Sequence, residues 1–207
     1  MGEPLRQVRL ADARMGLQDD VLDRARQVRQ GREVHLPLSR RQMVVVIVDD
    51  IVQVHSPEDR PTVRFAACSW LLTDLINAGI PAKNIDLLQC GKFYDYGAFQ
   101  VIPVQLTHNV PNCGYKLFFA GGKAFYATDT NNLNGITAKG YDLYLIECNY
   151  EDQEIHERIK EKEINGEFAY EKRVIYNHLS KLKCDAWIYS YADELSEYFY
   201  LHQHKND

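Results

Sequence analysis

The pattern of apolar and polar positions is strand-like early, then alternates between strand and helix. Residues 43–48, Met-Val-Val-Val-Ile-Val, form the longest apolar run, and Asp49-Asp50 separate it from Ile51-Val-Gln-Val54, so the two segments read as a hairpin. Upstream, Val21, Ala25 and Val28 recur at helical spacing. Downstream, Leu71, Leu72, Leu75 and Ile76 predict a helix over 68–78, stopped by Gly79 in the manner of a C-terminal cap. Short strands are predicted at 85–88 and 93–96. Residues 99–106 are mostly apolar, and Pro103, which has no N–H for a ladder, places that strand at an edge or a bulge. Segments 115–119 and 124–127 flank Gly121-Gly122, a strong hairpin signal. Residues 141–148, Tyr-Asp-Leu-Tyr-Leu-Ile-Glu-Cys, are apolar enough to lie inside a sheet. A charged helix at 152–163 follows, then a helical stretch from about Phe168. A further helix, capped by Asn177 or Ser180, runs to about Tyr191, and a strand occupies 198–201. The expected fold class is α/β.

Composition divides the chain near residue 65. Residues 1–64 hold eleven arginines and no lysine, tyrosine or asparagine; residues 65–207 hold two arginines, eleven lysines, all thirteen tyrosines and eleven asparagines. Arginine and lysine do similar work on a surface, so folding gives no reason for so complete an exchange. Lysine, asparagine and tyrosine share A/T-rich codons, which points to a change in the coding text. Residues 1–64 therefore read as an atypical segment, frame-shifted, fused or started at a mis-called codon, or alternatively as a genuine extension. Residues 65–207 read as the folded domain.

The net charge of -5 argues against gripping nucleic acid by bulk charge, although a metal can still attract a phosphate. The five cysteines are odd in number and contain no C-x-x-C pair, so neither a disulfide framework nor a cysteine zinc knuckle is expected. No apolar run approaches the roughly 20 residues of a membrane span, and the N-terminus lacks a signal-peptide pattern. A cytoplasmic protein without a membrane partner is expected.

Metal-capable side chains follow three of the predicted strands: His108 after 99–106, Asp129 after 124–127, and His202 after 198–201. Residues at strand ends can converge on one rim of a sheet. Imidazole and carboxylate suit Zn, Mn or Fe, and one or two divalent ions with an open position would make water a nucleophile. Taken singly these signals are weak, because Thr128-Asp129-Thr130 alone would be read as a turn.

Together, Leu106-Thr-His-Asn-Val-Pro-Asn-Cys-Gly-Tyr115, Phe125-Tyr-Ala-Thr-Asp-Thr130, the 141–149 strand and Asn177-His-Leu-Ser180 carry a more specific signal. From about Cys68 onward they resemble the metallo-β-lactamase fold family. The closest likeness is to its bacterial and prophage branch, with phosphodiesterase-like nucleases and phage cyclic-nucleotide-degrading anti-Pycsar proteins. The resemblance implies an αββα sandwich and hydrolysis of a small-molecule or nucleotide phosphodiester. It makes His108 a ligand of a first metal, Asp129 a bridging ligand and His202 a ligand of a second. His178 would contact a substrate phosphate or donate a proton, so Asp129 and His178 are the catalytic candidates. His204 competes with His202, since His-x-His on an extended segment points both rings to one side.

The family's His-x-His-x-Asp-His motif is missing or degenerate. Its nearest counterpart, His55-Ser-Pro-Glu-Asp-Arg60, keeps the first histidine and Asp59 but has Pro57 and Arg60 where histidines belong. Arg60 is cationic and cannot ligate a metal. His55 and Asp59 are weak metal candidates, and Asn109 stands where the branch usually has aspartate. The alternative reading is an inactive relic or binding module of the same fold. A β-layer that is missing or atypical would expose apolar surface, so homo-oligomerisation is expected.

Overall fold

The computed structural model describes the backbone of residues 33–37, 44–48, 51–55 and 63–203, with side chains described from Arg64 to Gln203. The helical spacing at Val21, Ala25 and Val28, and the candidates Asp59 and His204, lie outside the described residues, as does the side chain of His55. The chain is mixed α/β and divides between Lys92 and Phe93 into two compact units, each with one sheet.

In the first unit, strands β1 (Glu33–Pro37), β2 (Val44–Val48), β3 (Ile51–His55), β4 (Val63–Cys68) and β5 (Ile85–Leu88) lie in that order. The predicted hairpin is β2–β3, with Val48 opposite Ile51 across Asp49-Asp50. β4 is antiparallel to β3 and parallel to β5. It crosses residue 65, so one strand draws on both compositional halves. A 3-10 turn, Ser69–Leu71, leads into helix α1 (Leu72–Asn77), which Gly79 ends at φ +85°. The helix is shorter than its apolar spacing suggests because Cys68 completes β4.

In the second unit the sheet order is β11-β10-β9-β8-β7-β6, where β6 is Tyr94–Asp95, β7 Phe99–Gln105, β8 Cys113–Phe119, β9 Gly122–Ala127, β10 Leu143–Glu147 and β11 Glu197–Leu201. β7, β8 and β9 form an antiparallel meander, whereas β10 is parallel to both β9 and β11. β7, β9, β10 and β11 therefore end at the same rim. Pro103 pairs with Tyr115 of β8, and β6 reaches only Gln100 and Val101, so Pro103 faces an edge among the described residues.

Helices α2 (Asp152–Ile164), α3 (Glu171–Asn177) and α4 (Lys181–Tyr191) fill the connection from β10 to β11. Ser180 is the cap of α4, its Oγ accepting from the Lys183 amide at 3.4 Å, while Asn177 ends α3. The helical stretch expected from Phe168 starts at Glu171, since Phe168 lies exposed just after the Gly166 turn at φ +72°. α4 buries Cys184 and Ile188 against Phe125, Tyr144 and Ile146 of the sheet. The Tyr144 hydroxyl oxygen lies 2.7 Å from the Ala138 carbonyl and 2.8 Å from the Tyr191 carbonyl, its single proton serving either one. Among the described residues no helix is long and apolar enough to cross a membrane.

β8 and β9 approach closely at Gly114, where an added Cβ would lie 2.4 Å from the Tyr126 carbonyl oxygen. Backbone cannot swing aside as a flexible side chain can, so Gly114→Ala is expected to cost about 1–3 kcal/mol. A lower midpoint in thermal unfolding would register it.

Candidate metal centre

Four donor groups meet at the rim. Asp129, Glu147, His178 and His202 each offer a ligand atom within 4.8 Å of the others. Topology explains the meeting. Ala127 pairs with Ile146 and Glu147 with Leu201, so Glu147 ends β10 between the turn carrying Asp129 and the residue following β11, His202. His178 arrives from the α3–α4 junction, which is stitched to the extension of β10: the Asn149 amide donates to the Leu179 carbonyl and the Lys181 amide to Tyr150, both at 2.9 Å. His108, on the β7–β8 connection at the same rim, brings its ring centroid to 5.3 Å from that of His178.

Of the residues expected at the site, His108, Asp129, His178 and His202 are brought together. Glu147 was not anticipated, yet it is the best buried of the group, with no exposed surface. Its Oε1 lies 2.6 Å from His178 Nδ1 and 3.3 Å from His202 Nδ1, and its Oε2 accepts from the Thr130 amide at 2.7 Å. A signal was available: Glu147 is the only charge in Leu-Tyr-Leu-Ile-Glu-Cys, and a carboxylate inside a buried strand demands a partner.

Two of the donors sit on strained backbone. Asp129 has φ +53° and His202 φ +51°, the only non-glycine residues with positive φ among those described. Aspartate tolerates this region better than histidine, and the cost at each is about 1–3 kcal/mol. Each is held by a buried asparagine. The Asn112 side-chain Nδ2 donates to the Asp129 carbonyl at 2.5 Å, and the Asn149 side-chain Nδ2 to the His202 carbonyl at 3.0 Å. Asn131 ties the neighbouring loops, its amide donating to the Thr107 carbonyl at 2.9 Å and its side chain to the Tyr176 carbonyl at 2.7 Å.

The electrostatics favour a cation. Burial pushes the Asp129 carboxyl up, but its hydrogen bond with His202 and the charges of His202, His108 and His178 prevail and hold it below the ordinary carboxylate range. His202 is pushed up to about 10 by hydrogen bonds to Asp129, at 2.9 Å, and to Glu147. Burial pushes the His108 imidazole down, keeping it neutral and able to donate a lone pair. Both of its ring nitrogens are buried with no hydrogen-bond partner. A buried imidazole left so is costly, and a cation would supply a partner for the one nitrogen that carries a lone pair. Imidazoles and carboxylates in this mixture fit Zn, Mn or Fe.

The raised His202 value fixes a pH dependence. In the metal-free protein the pairing is at full strength below the ordinary 6.5 and its contribution is lost as pH rises through about 10. A ligand-forming His202 must surrender that proton. Metal affinity is therefore expected to climb between about pH 7 and 10, by up to tenfold per unit, with proton release on binding. Calorimetry in buffers of different ionisation enthalpy measures the release, and a pH-independent affinity would exclude His202 as a ligand.

Fold and site together define a mixed α/β protein with a candidate metal centre at the ends of parallel strands. No family model and no curated protein matches the sequence. Among solved structures, the chain is similar to the metallo-β-lactamase fold protein YhfI from Bacillus subtilis, at 15% identity and a TM-score of 0.43 over 61% of this chain and 47% of that one. It is also similar to Zn-bound PqqB from Methylobacterium extorquens, at 11% identity and a TM-score of 0.36 over 44% and 40% of the two chains. With the short form of human tRNase Z the identity is 14% and the TM-score 0.35, over 57% of this chain and 48% of that one. The match spans less than half the length of each of these three proteins.

Proposed function

We propose that the chain is a metal-dependent hydrolase of the metallo-β-lactamase type, cleaving a phosphodiester in a cyclic nucleotide or nucleic acid. The observation that carries this reading is the pair of orphaned His108 nitrogens beside the four-donor cluster. When bound, a divalent ion would supply Lewis acidity toward water and toward a phosphoryl oxygen. His108, Asp129 and His202 are the residues assigned to hold it; Glu147 and His178 share the four-donor cluster with Asp129 and His202, and His108 stands beside it. Zinc suits the donor set, in one ion or two.

The remaining chemistry belongs to the protein. Glu147 engages Nδ1 of His178 and so leaves Nε2 to contact a phosphate or carry a proton to the leaving oxygen. Asp129 would serve as the bridging carboxylate if two ions bind. The motif at His55–Arg60, with Pro57 and Arg60 in place of histidines, favours the second reading, a binding module that holds metal without turnover.

Metal content of the purified chain and hydrolysis of bis(p-nitrophenyl) phosphate test the proposal. At least one ion per chain, lost in His108→Ala, together with metal-dependent hydrolysis, is the expected result. Metal without hydrolysis would favour the binding module. A small fraction of one ion per chain and no hydrolysis would overturn the assignment.

A further inference from the structure

We propose that Cys68 and Cys90 form an intramolecular disulfide site, closed by exchange with a small organic disulfide. The two sulfurs lie 3.9 Å apart although the residues are 22 positions apart in the chain. The parallel pairing of β4 with β5 sets Cys68 opposite Leu88, and Cys90 follows two residues later. A turn fixes Cys90 there: the Lys92 amide donates to the Gln89 carbonyl at 3.1 Å, and Gly91 supplies φ +80°, as the third position of a type II turn requires. Bond formation needs the sulfurs to close to about 2.05 Å, a further approach of about 1.9 Å.

Access separates this pair from the other close thiols. Cys148 and Cys184 also lie in one core cluster, but both are buried, Cys184 completely. Cys90 is half-buried, whereas Cys68 is buried, so the two have distinct roles. The Cys90 thiolate attacks one sulfur of the small disulfide, forming a mixed disulfide and expelling one thiolate. The Cys68 thiolate then attacks the Cys90 sulfur and expels the second. Two protein thiols are oxidised to one disulfide, and the reagent is reduced to two thiols that take up the two protons. The product clamps the end of β4 to the turn after β5.

The test incubates the full native chain with glutathione disulfide, alkylates the remaining thiols after denaturation and maps peptides without reduction. The expected product carries a Cys68–Cys90 link, with Cys113, Cys148 and Cys184 alkylated. Cys68→Ser should stop at one glutathione on Cys90. Because Cys68 is buried, Cys90→Ser provides a second measurement: neither a link nor glutathione on Cys68 is expected. No oxidation, a Cys148–Cys184 link in its place, stable glutathione on Cys90 of the unaltered chain, or glutathione on Cys68 in Cys90→Ser would each overturn the site.

Discussion

Asp129→Asn should leave a folded protein whose metal affinity falls by at least about 10²-fold, with hydrolysis falling alongside. Asparagine is the informative replacement because it tolerates positive φ at least as well as aspartate, so the turn at φ +53° survives. What it removes is the charge. The carboxyl of Asp129 is held ionised against burial by its histidine neighbours, and that charge is what a cation would find. Removing it also weakens the hydrogen bond from His202 to a neutral acceptor and takes away the charge of Asp129, so the His202 value should drop from about 10 in the metal-free protein. Metal analysis reads the first effect and an NMR titration of the His202 ring reads the second. Unchanged metal stoichiometry beside a lowered His202 value would show that the ion pair is real and the ligand role is not.

Glu147 carries the largest expected effect on stability. Truncation to alanine strands the amide of Thr130, which is fully buried, and frees His178 from its 2.6 Å contact. Breaking a buried pair by removing one partner costs about 3–5 kcal/mol, and for a chain of this size each kcal/mol lowers the unfolding midpoint by roughly 2–4 °C. Glu147→Gln keeps an oxygen for the Thr130 amide and should fold, while losing the charge that orients His178. Its hydrolysis rate is expected to drop about 10–100-fold. Thermal melts and initial rates on the two variants separate scaffold from chemistry. If Glu147→Gln matched the parent rate, Glu147 would be a structural residue alone.

Much of this site can be read from residue order, because three strands each deliver a metal-capable side chain just past their ends. The hairpin at Gly121-Gly122 and the strand ending at Glu147 are local patterns that need no tertiary knowledge. The parallel pairing of β10 with both β9 and β11 is different. It joins β10 to β9 across the loop 128–142 and to β11 across the whole α2–α4 connection, and nothing in the period of a strand names its neighbour. Glu147 escaped notice for that reason: within its run it resembles one polar exception, and only the convergence of Asp129, His178 and His202 gives it partners. The asparagines follow the same logic. Asn112 and Asn149 look like ordinary loop residues until the left-handed carbonyls of Asp129 and His202 are placed beside their amides. The thiol pair was invisible to spacing, since 22 residues say nothing of a shared strand boundary.

The register of β10 and β11 has a consequence for how errors in folding would be detected. Strand side chains alternate between faces, so a slip of one position between these parallel neighbours could preserve backbone pairing while turning His202 away from Glu147. Such a misthreaded species would keep nearly all its secondary structure and escape notice by circular dichroism. It would be blind to the ion. Titrating refolded protein with metal would therefore count correctly threaded molecules, with the rim acting as an internal gauge of sheet alignment.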